Sequence, residues 1–328
     1  MDANAATLRR LTRLPFELAR RCRFDQRRNT SGLEKAESES RRCGIDTKSY
    51  NLLGPLWLYA QAFSKRASRS YVAGAELANA VQVCQRLAQQ GTATTVGYWN
   101  ADTDAFRFVA DAYLNALTVL ASEKLDTYLS IKAPALGLTR NLVTEVAAQA
   151  QQAGLGLHFD SLEPEAADET FTLIAEAARA CAQVGCTLPG RWQRSLRDTD
   201  FAVELGLRVR VVKGQWADPL QPDLDLREGF LNVIDRLAAR ARHVAVATHD
   251  PLLAREALRR LRATGTSCEL ELLYGLPRKA VLRAVKDLDV PVRVYVPYGE
   301  AWLPYRLSQV RKNPRILWWV LRDSLLAS

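Results

Sequence analysis

Histidine is scarce in this chain of 328 residues: only His158, His243 and His249 occur. The six cysteines (Cys22, Cys43, Cys84, Cys181, Cys186, Cys268) form no CxxC pair and no dense framework. Cys181 and Cys186 therefore lack the His/Cys neighbours that a structural metal needs, and no metal site is expected. Thiols this sparse are expected to be reduced, as in a cytoplasm. No apolar run is long enough to span a bilayer, and the first thirty residues lack the uninterrupted apolar segment of a signal peptide; the expectation is a cytoplasmic protein. GxGxxG and Walker loops are absent too, which removes the commonest nucleotide motifs.

What is present is an ordinary globular composition: 48% hydrophobic, 25% charged, with 17 Gly and 13 Pro. Disordered, collagenous and fibrous classes are excluded. The length suits two domains, or one large α/β barrel with an appendage. The balance of 45 Lys+Arg against 36 Asp+Glu gives +9, a charge that suits nucleic acid, an anionic membrane surface or a phosphate-bearing ligand alike. The surplus gathers in the first seventy residues (Arg9, Arg10, Arg20, Arg21, Arg27, Arg28, Arg41, Arg42), where it reads as a solvated arm and not as a nucleic-acid site.

Residues 1–90 carry helical spacing, as in Leu8, Leu11, Leu14 and Leu18, and again over Tyr50–Phe63 and Val72–Leu87. A polar stretch from Gln26 to Ser49 separates the first helix from the others as a linker. After Gly91 the rhythm becomes short apolar runs alternating with amphipathic helical segments. The runs are Ala93–Tyr98, Thr127–Ile131, Gly154–Phe159, Gly185–Leu188, Leu207–Val212, His243–Thr248, Cys268–Leu273 and Val292–Val296. Eight strand signals alternating with helices give an α/β fold: a (β/α)8 TIM-like barrel over 91–328 with an N-terminal helical arm over 1–90.

In such a barrel, ligand chemistry sits just past the strand ends. Those positions hold Trp99 and Asn100, Lys132, Asp160, Arg191, Lys213 and Gly214, Thr248 and His249, Tyr274, and Tyr298. Lys132, an ammonium at the rim of the second strand, can orient an anion, shuttle a proton or form a Schiff base; the plainer alternative is a rim ion pair with Asp160. Gly214 lets backbone approach a phosphate. His249 is either a ligand contact or a histidine held by its own surroundings. The tyrosines, Tyr305 included, can equally pack with a wet hydroxyl.

Taken in order, LSIK before the loop of Lys132, HFD ending at Asp160, VRVVKG, ATHD, ELELLYG and above all VRVYVPYGEAWLPYRLSQVRKNP (Val292 to Pro314) resemble the proline dehydrogenase family of flavoenzymes, over about two-thirds of the chain. The resemblance implies a distorted (β/α)8 barrel that binds FAD. It places Arg210 near the reactive part of the flavin, Lys213, Gly214, Thr248, His249 and Tyr274 along the cofactor, and Lys132, Asp160, Tyr298 and Tyr305 in the substrate chamber. This chain also departs from the family pattern. Ser308 and Gln309 stand where the family carries the Arg-Arg pair that clamps a carboxylate; Pro189, Gly190 and Arg191 replace Gln-Ala-Tyr; Glu271 replaces Gln; and Tyr98, Trp99 and Asn100 replace Leu-Gly-Glu. Arg306 flanks the gap in the final helix, and Arg191 is a second candidate to fill in for the missing groups.

The function this implies is FAD-dependent oxidation of an amine or imino acid to an imine, on a proline-like substrate that is modified, carrier-bound or lacks a free carboxylate. Trp99, Ser308, Gln309 and Arg306 are the substrate-binding candidates. The alternatives are oxidation of L-proline itself, and a non-catalytic flavin-barrel partner protein. The electron acceptor is expected to be a quinone or oxygen, with no nucleic acid involved. The apolar tail Ile316–Ser328 is apolar enough for peripheral contact with a membrane surface.

Overall fold

The computed structural model describes residues 72–299. Expectations that fall elsewhere lie outside the described residues: the first helices, the polar linker, the apolar tail, and the site candidates Tyr305, Arg306, Ser308 and Gln309. From its start the described chain runs α1 (Leu77–Ala88), β1 (Ala93–Tyr98), α2 (Phe106–Glu123), β2 (Thr127–Ile131), α3 (Arg140–Gln152), β3 (Gly156–Phe159) and α4 (Ala167–Ala180). It continues with β4 (Val184–Pro189), α5 (Ser195–Glu204), β5 (Arg208–Val212), α6 (Leu226–Leu237), β6 (His243–Ala247), α7 (Pro251–Ala263), β7 (Cys268–Leu273), α8 (Lys279–Val285) and β8 (Val292–Tyr298). All eight strands are parallel, each pairs with the next in sequence, and β8 closes on β1 with Thr95 opposite Tyr295 and Gly97 opposite Pro297. The eightfold alternation read from the sequence is this closed barrel.

The helices form where the sequence supplies both an apolar stripe and a start signal. In α7, Leu253, Ala254, Ala257, Leu258 and Leu261 are buried at helical spacing, and Pro251 occupies the first turn. The Asp250 side chain accepts from the N–H groups of Leu252 and Leu253, and Arg260 and Arg262 sit in the last turn, where the helix dipole favours cations. α1 falls within the stretch read as an arm, and its Ala80, Val81, Val83, Cys84 and Leu87 enter the core of the barrel. Among the described residues, no helix is long and apolar enough to cross a membrane. Cys84, Cys181, Cys186 and Cys268 are buried and unpaired.

The strands alternate. Outward side chains such as Leu129, Ile131, Val209, Val211, Leu270 and Leu272 are buried against the helices. Barrel interiors of this kind usually hold bulky branched residues. Here the inward positions carry charge: Arg208 and Arg210 on β5, Glu269 and Glu271 on β7, and Arg293 on β8. In the lower layer, Arg293 donates from Nε to both Glu269 oxygens (3.0 and 3.1 Å), from Nη1 to the Thr94 carbonyl (2.6 Å) and from Nη2 to Asp126 (3.0 Å). Arg208 pairs with the same Glu269, and both guanidiniums lie over the Tyr128 ring at 4.8 and 4.7 Å. Burial alone raises the carboxyl pKa of Glu269. The contacts with His243, Arg293 and Arg208 outweigh that and hold it at about 2.

Removing Arg293 leaves Glu269 to Arg208 and takes the donor from the buried Thr94 carbonyl, so Arg293→Met is expected to cost about 1–3 kcal/mol in urea unfolding at neutral pH. Because the folded-state pKa of Glu269 is depressed, its contribution is complete above about 4.5 and is lost as pH falls through about 2. The variant should therefore lose less stability than the wild type over that acid window.

Candidate active site

A cavity of about 750 Å³ opens at the carboxyl ends of the strands. It is lined by residues that follow β1 (Trp99, Asn100), β2 (Lys132), β3 (Asp160 to Glu163), β5 (Gly214 to Trp216) and β6 (Thr248, His249), and its size is that of a small-molecule or cofactor pocket. Arg210, Thr187, Glu271 and Tyr295 reach it from within the strands.

Arg210 is the hub of the floor. Its Nε and Nη2 form a two-pronged pair with Glu271 (2.8 and 2.9 Å), Nη1 donates to Asp160 (2.7 Å), and Nη2 also reaches the Tyr128 hydroxyl (3.3 Å). Burial opposes the guanidinium charge, but Glu271, Tyr128 and Asp160 more than offset it, so the group stays protonated. Glu271, a costly group beside an anionic ligand if left alone, is paired with Arg210 and also accepts from Thr95 (2.9 Å). Asp160 is held by three donors: Ser130 (2.7 Å) and Arg210 on one oxygen, and the Tyr295 hydroxyl (2.8 Å) on the other. Burial pushes the Tyr295 phenol well above its ordinary range, which keeps it a donor to Asp160.

The expected alternative for Lys132, a rim ion pair with Asp160, does not form. Asp160 is already occupied, and Lys132 Nζ donates to the Tyr98 carbonyl (3.0 Å). Desolvation lowers the Lys132 pKa from 10.5 to about 8 against the opposing pull of Asp160 and Asp102. A lysine in this state can change protonation near neutrality.

The remaining expected positions divide. Trp99, Gly214, Thr248 and His249 line the cavity. Gly214 has φ +92°, and a Cβ there would lie 2.9 Å from Pro189 and 3.0 Å from Arg191, so the tight turn requires glycine. The His249 ring is held by backbone: Nδ1 bonds the Pro277 carbonyl (3.1 Å) and Nε2 accepts from the Leu273 N–H (2.9 Å), so it meets the cavity with its ring and not with an uncommitted nitrogen. Lys213 reaches Asp250 at 3.3 Å, and Arg191 donates to the Gln215 carbonyl (2.9 Å); both sit beside the cavity wall and do not line it. Tyr274 and Tyr298 also do not line it. Tyr298 is buried against Tyr98, with ring centroids 5.2 Å apart.

Tyr295 is the cavity tyrosine that strand-end reasoning missed. The alternation in VRVYV carried the signal, since Arg293 and Tyr295 share the inward face. Gly97 on the neighbouring strand makes room for it, because a Cβ there would fall 2.1 Å from the Tyr295 hydroxyl and 2.6 Å from Cζ. Gly97→Ala should therefore overpack the floor at a cost of about 1–3 kcal/mol, read as a lowered unfolding midpoint and relieved in part by Tyr295→Ala. A second expectation concerns Lys132. Its folded-state pKa is depressed, so wild-type stability rises with pH between about 8 and 10.5 relative to Lys132→Met, which lacks the group.

No family model matches the chain. Among curated proteins it is 24% identical over 286 residues to proline dehydrogenase 1 of Bacillus subtilis subsp. natto, covering 81% of this chain and 94% of that protein. It is 25% identical over 278 residues to the proline dehydrogenase of Deinococcus radiodurans, covering 78% and 89%. Among solved structures, proline utilization A from Bdellovibrio bacteriovorus, inactivated by N-propargylglycine, shares the fold with a TM-score of 0.68 at 16% identity. That likeness covers 81% of this chain and 35% of the neighbour, so the chain spans about a third of the length of that larger protein.

Proposed function

We propose that this chain, proline dehydrogenase-like in sequence and fold, is an FAD-dependent oxidoreductase that acts on the CH–NH group of an amine or imino acid. The observation that carries this reading is the convergence of Lys132, Asp160, Arg210 and Tyr295 on the floor of one large cavity at the strand ends. Features of the chain fit a flavin dinucleotide. The volume admits a fused ring system, the Gly214 turn lets backbone come close, and Arg191 and Lys213 supply cations beside it for phosphate. Trp99, Trp216 and Phe106 offer flat apolar surface.

Bound there, FAD supplies a two-electron acceptor for the hydride of a C–H bond next to an amine nitrogen. The chain supplies the positioning and the proton chemistry. An amine must be neutral to release that hydride, and Lys132 Nζ, with its pKa brought down to about 8, can take a proton from an incoming ammonium. Asp160 is locked by Ser130, Arg210 and Tyr295 and presents a fixed negative charge that orients the nitrogen. The aromatic walls keep water from the reacting carbon.

For the finer substrate we favour an amine whose carboxylate is absent, masked or carrier-bound. Among the described cavity residues, Arg210 is already filled by Glu271 and Asp160, and Lys132 is the cation that remains; positions 308 and 309 hold Ser and Gln. L-proline is the second reading, favoured by the names of the curated relatives, and Lys132 would then receive its carboxylate. The acceptor is read as a quinone or oxygen.

The test is the visible spectrum of the purified protein, followed by anaerobic bleaching with a panel of L-proline, its ester and amide, and pyrrolidine. Stoichiometric FAD is expected, with bleaching fastest for the carboxylate-free members and slowed at least about a hundredfold in Lys132→Ala. Tight saturation by free L-proline, lost in Lys132→Ala, would establish the second reading instead. A colourless protein that takes up no added FAD would overturn both.

A further inference from the structure

His158 lies wholly inside the barrel, one layer below the cavity floor. Burial together with the guanidiniums of Arg210, Arg208 and Arg293 pushes its pKa well below the imidazole range, so the ring is neutral and carries one proton on one of two nitrogens. Nε2 is 3.0 Å from the Thr187 hydroxyl. Nδ1 is buried with no hydrogen-bond partner among the described residues, and it packs against Gly185, where a Cβ would come within 2.4 Å of it.

The proton count separates the two tautomers. With the proton on Nδ1, a buried N–H donor would face the Cα hydrogens of Gly185, and orphaned buried N–H groups are the rarer kind of unpaired atom. With the proton on Nε2, the bare Nδ1 lone pair meets those same hydrogens, a weak but favourable contact. The Nε2–H group then donates to Thr187 Oγ1. Arg210 Nη1, which can only donate, reaches the same oxygen at 3.4 Å. Both lone pairs of the Thr187 hydroxyl are thereby engaged, and its own proton has no acceptor among the described residues. Thr187 is one of the residues that line the cavity.

We propose that Thr187 is a ligand-contacting hydrogen-bond donor at the cavity floor, its hydroxyl proton turned into the cavity by the Nε2–H tautomer of His158, and that it serves an accepting nitrogen or carbonyl oxygen of the flavin ring. The inference rests on the flavin reading above. His158 touches no ligand in this arrangement and acts as a positioning residue through Thr187. A donor aimed at the ring favours the reduced form, where electron density on those atoms increases.

The experiment measures FAD content, the visible spectrum and the reduction potential of bound FAD in wild type, Thr187→Val, Thr187→Ser and His158→Gln. Valine keeps the shape and removes the donor. The expected result is a potential moved to more negative values, displaced absorbance maxima and FAD binding weakened roughly two- to tenfold, the worth of one neutral hydrogen bond. Thr187→Ser should restore all three, and His158→Gln should shift the potential in the direction of the valine variant. Should Thr187→Val fail to fold, Thr187→Ala gives the same readout with less strain. Unchanged spectrum and potential in a folded, FAD-loaded valine or alanine variant would overturn the proposal while leaving the flavin reading intact. A wild type that binds no FAD would overturn that reading and the proposal with it.

Discussion

The barrel interior rests on the pairing of buried guanidiniums with buried carboxylates. Arg210 is almost fully shielded from water, as are Glu271 beside it and Glu269 and Arg293 below. Taking such ions out of water costs several kcal/mol each, and the fold tolerates this only because nearly every donor finds an oxygen and every carboxylate is matched. Arg210 alone meets Glu271, Asp160 and Tyr128. A network satisfied to this extent is stiff, since any side chain that moves leaves a charge exposed to a low dielectric.

That stiffness sets the character of the cavity above it. The floor is a fixed array in which Asp160 accepts three hydrogen bonds and Tyr295 is held between Gly97 and Asp160. Lys132 is different. Among the described residues it has one carbonyl partner and no carboxylate within ion-pair distance, and desolvation disfavours its charged form. The rigid groups can define where a ligand nitrogen sits, and the lysine is the group whose protonation can change while that ligand is held.

The fold was legible because the alternation of strand and helix signals survives in composition and spacing. Ala93–Tyr98, Thr127–Ile131 and Cys268–Leu273 have the bounds read from the sequence, and His243–Thr248 ended one residue later than the strand does. The site was legible where it follows a strand end, as for Trp99, Lys132, Asp160, Gly214, Thr248 and His249. It was not legible where inward residues inside the strands build the floor. RVRVV, CELEL and VRVYV were read as apolar runs, although their period-two alternation places every charge on one face. The same parity separates the two tyrosines of β8: three residues apart, they face opposite sides, so Tyr295 enters the cavity and Tyr298 joins the packing around Tyr98. His249 shows a different limit, because its partners are the backbone of Leu273 and Pro277, which no local pattern reveals.

The charged interior also constrains how the sequence can drift. Replacing Arg210 strands both Glu271 and Asp160 inside the barrel, whereas Glu271→Gln leaves the guanidinium matched by Asp160, so the arginine is the more tightly constrained member of the pair. The cavity walls differ: Trp99 and Phe106 are uncharged, so exchanging either strands no ion in that network. Single exchanges in the walls thus reshape the space offered to a ligand, while Arg210 is fixed by the two carboxylates it holds together.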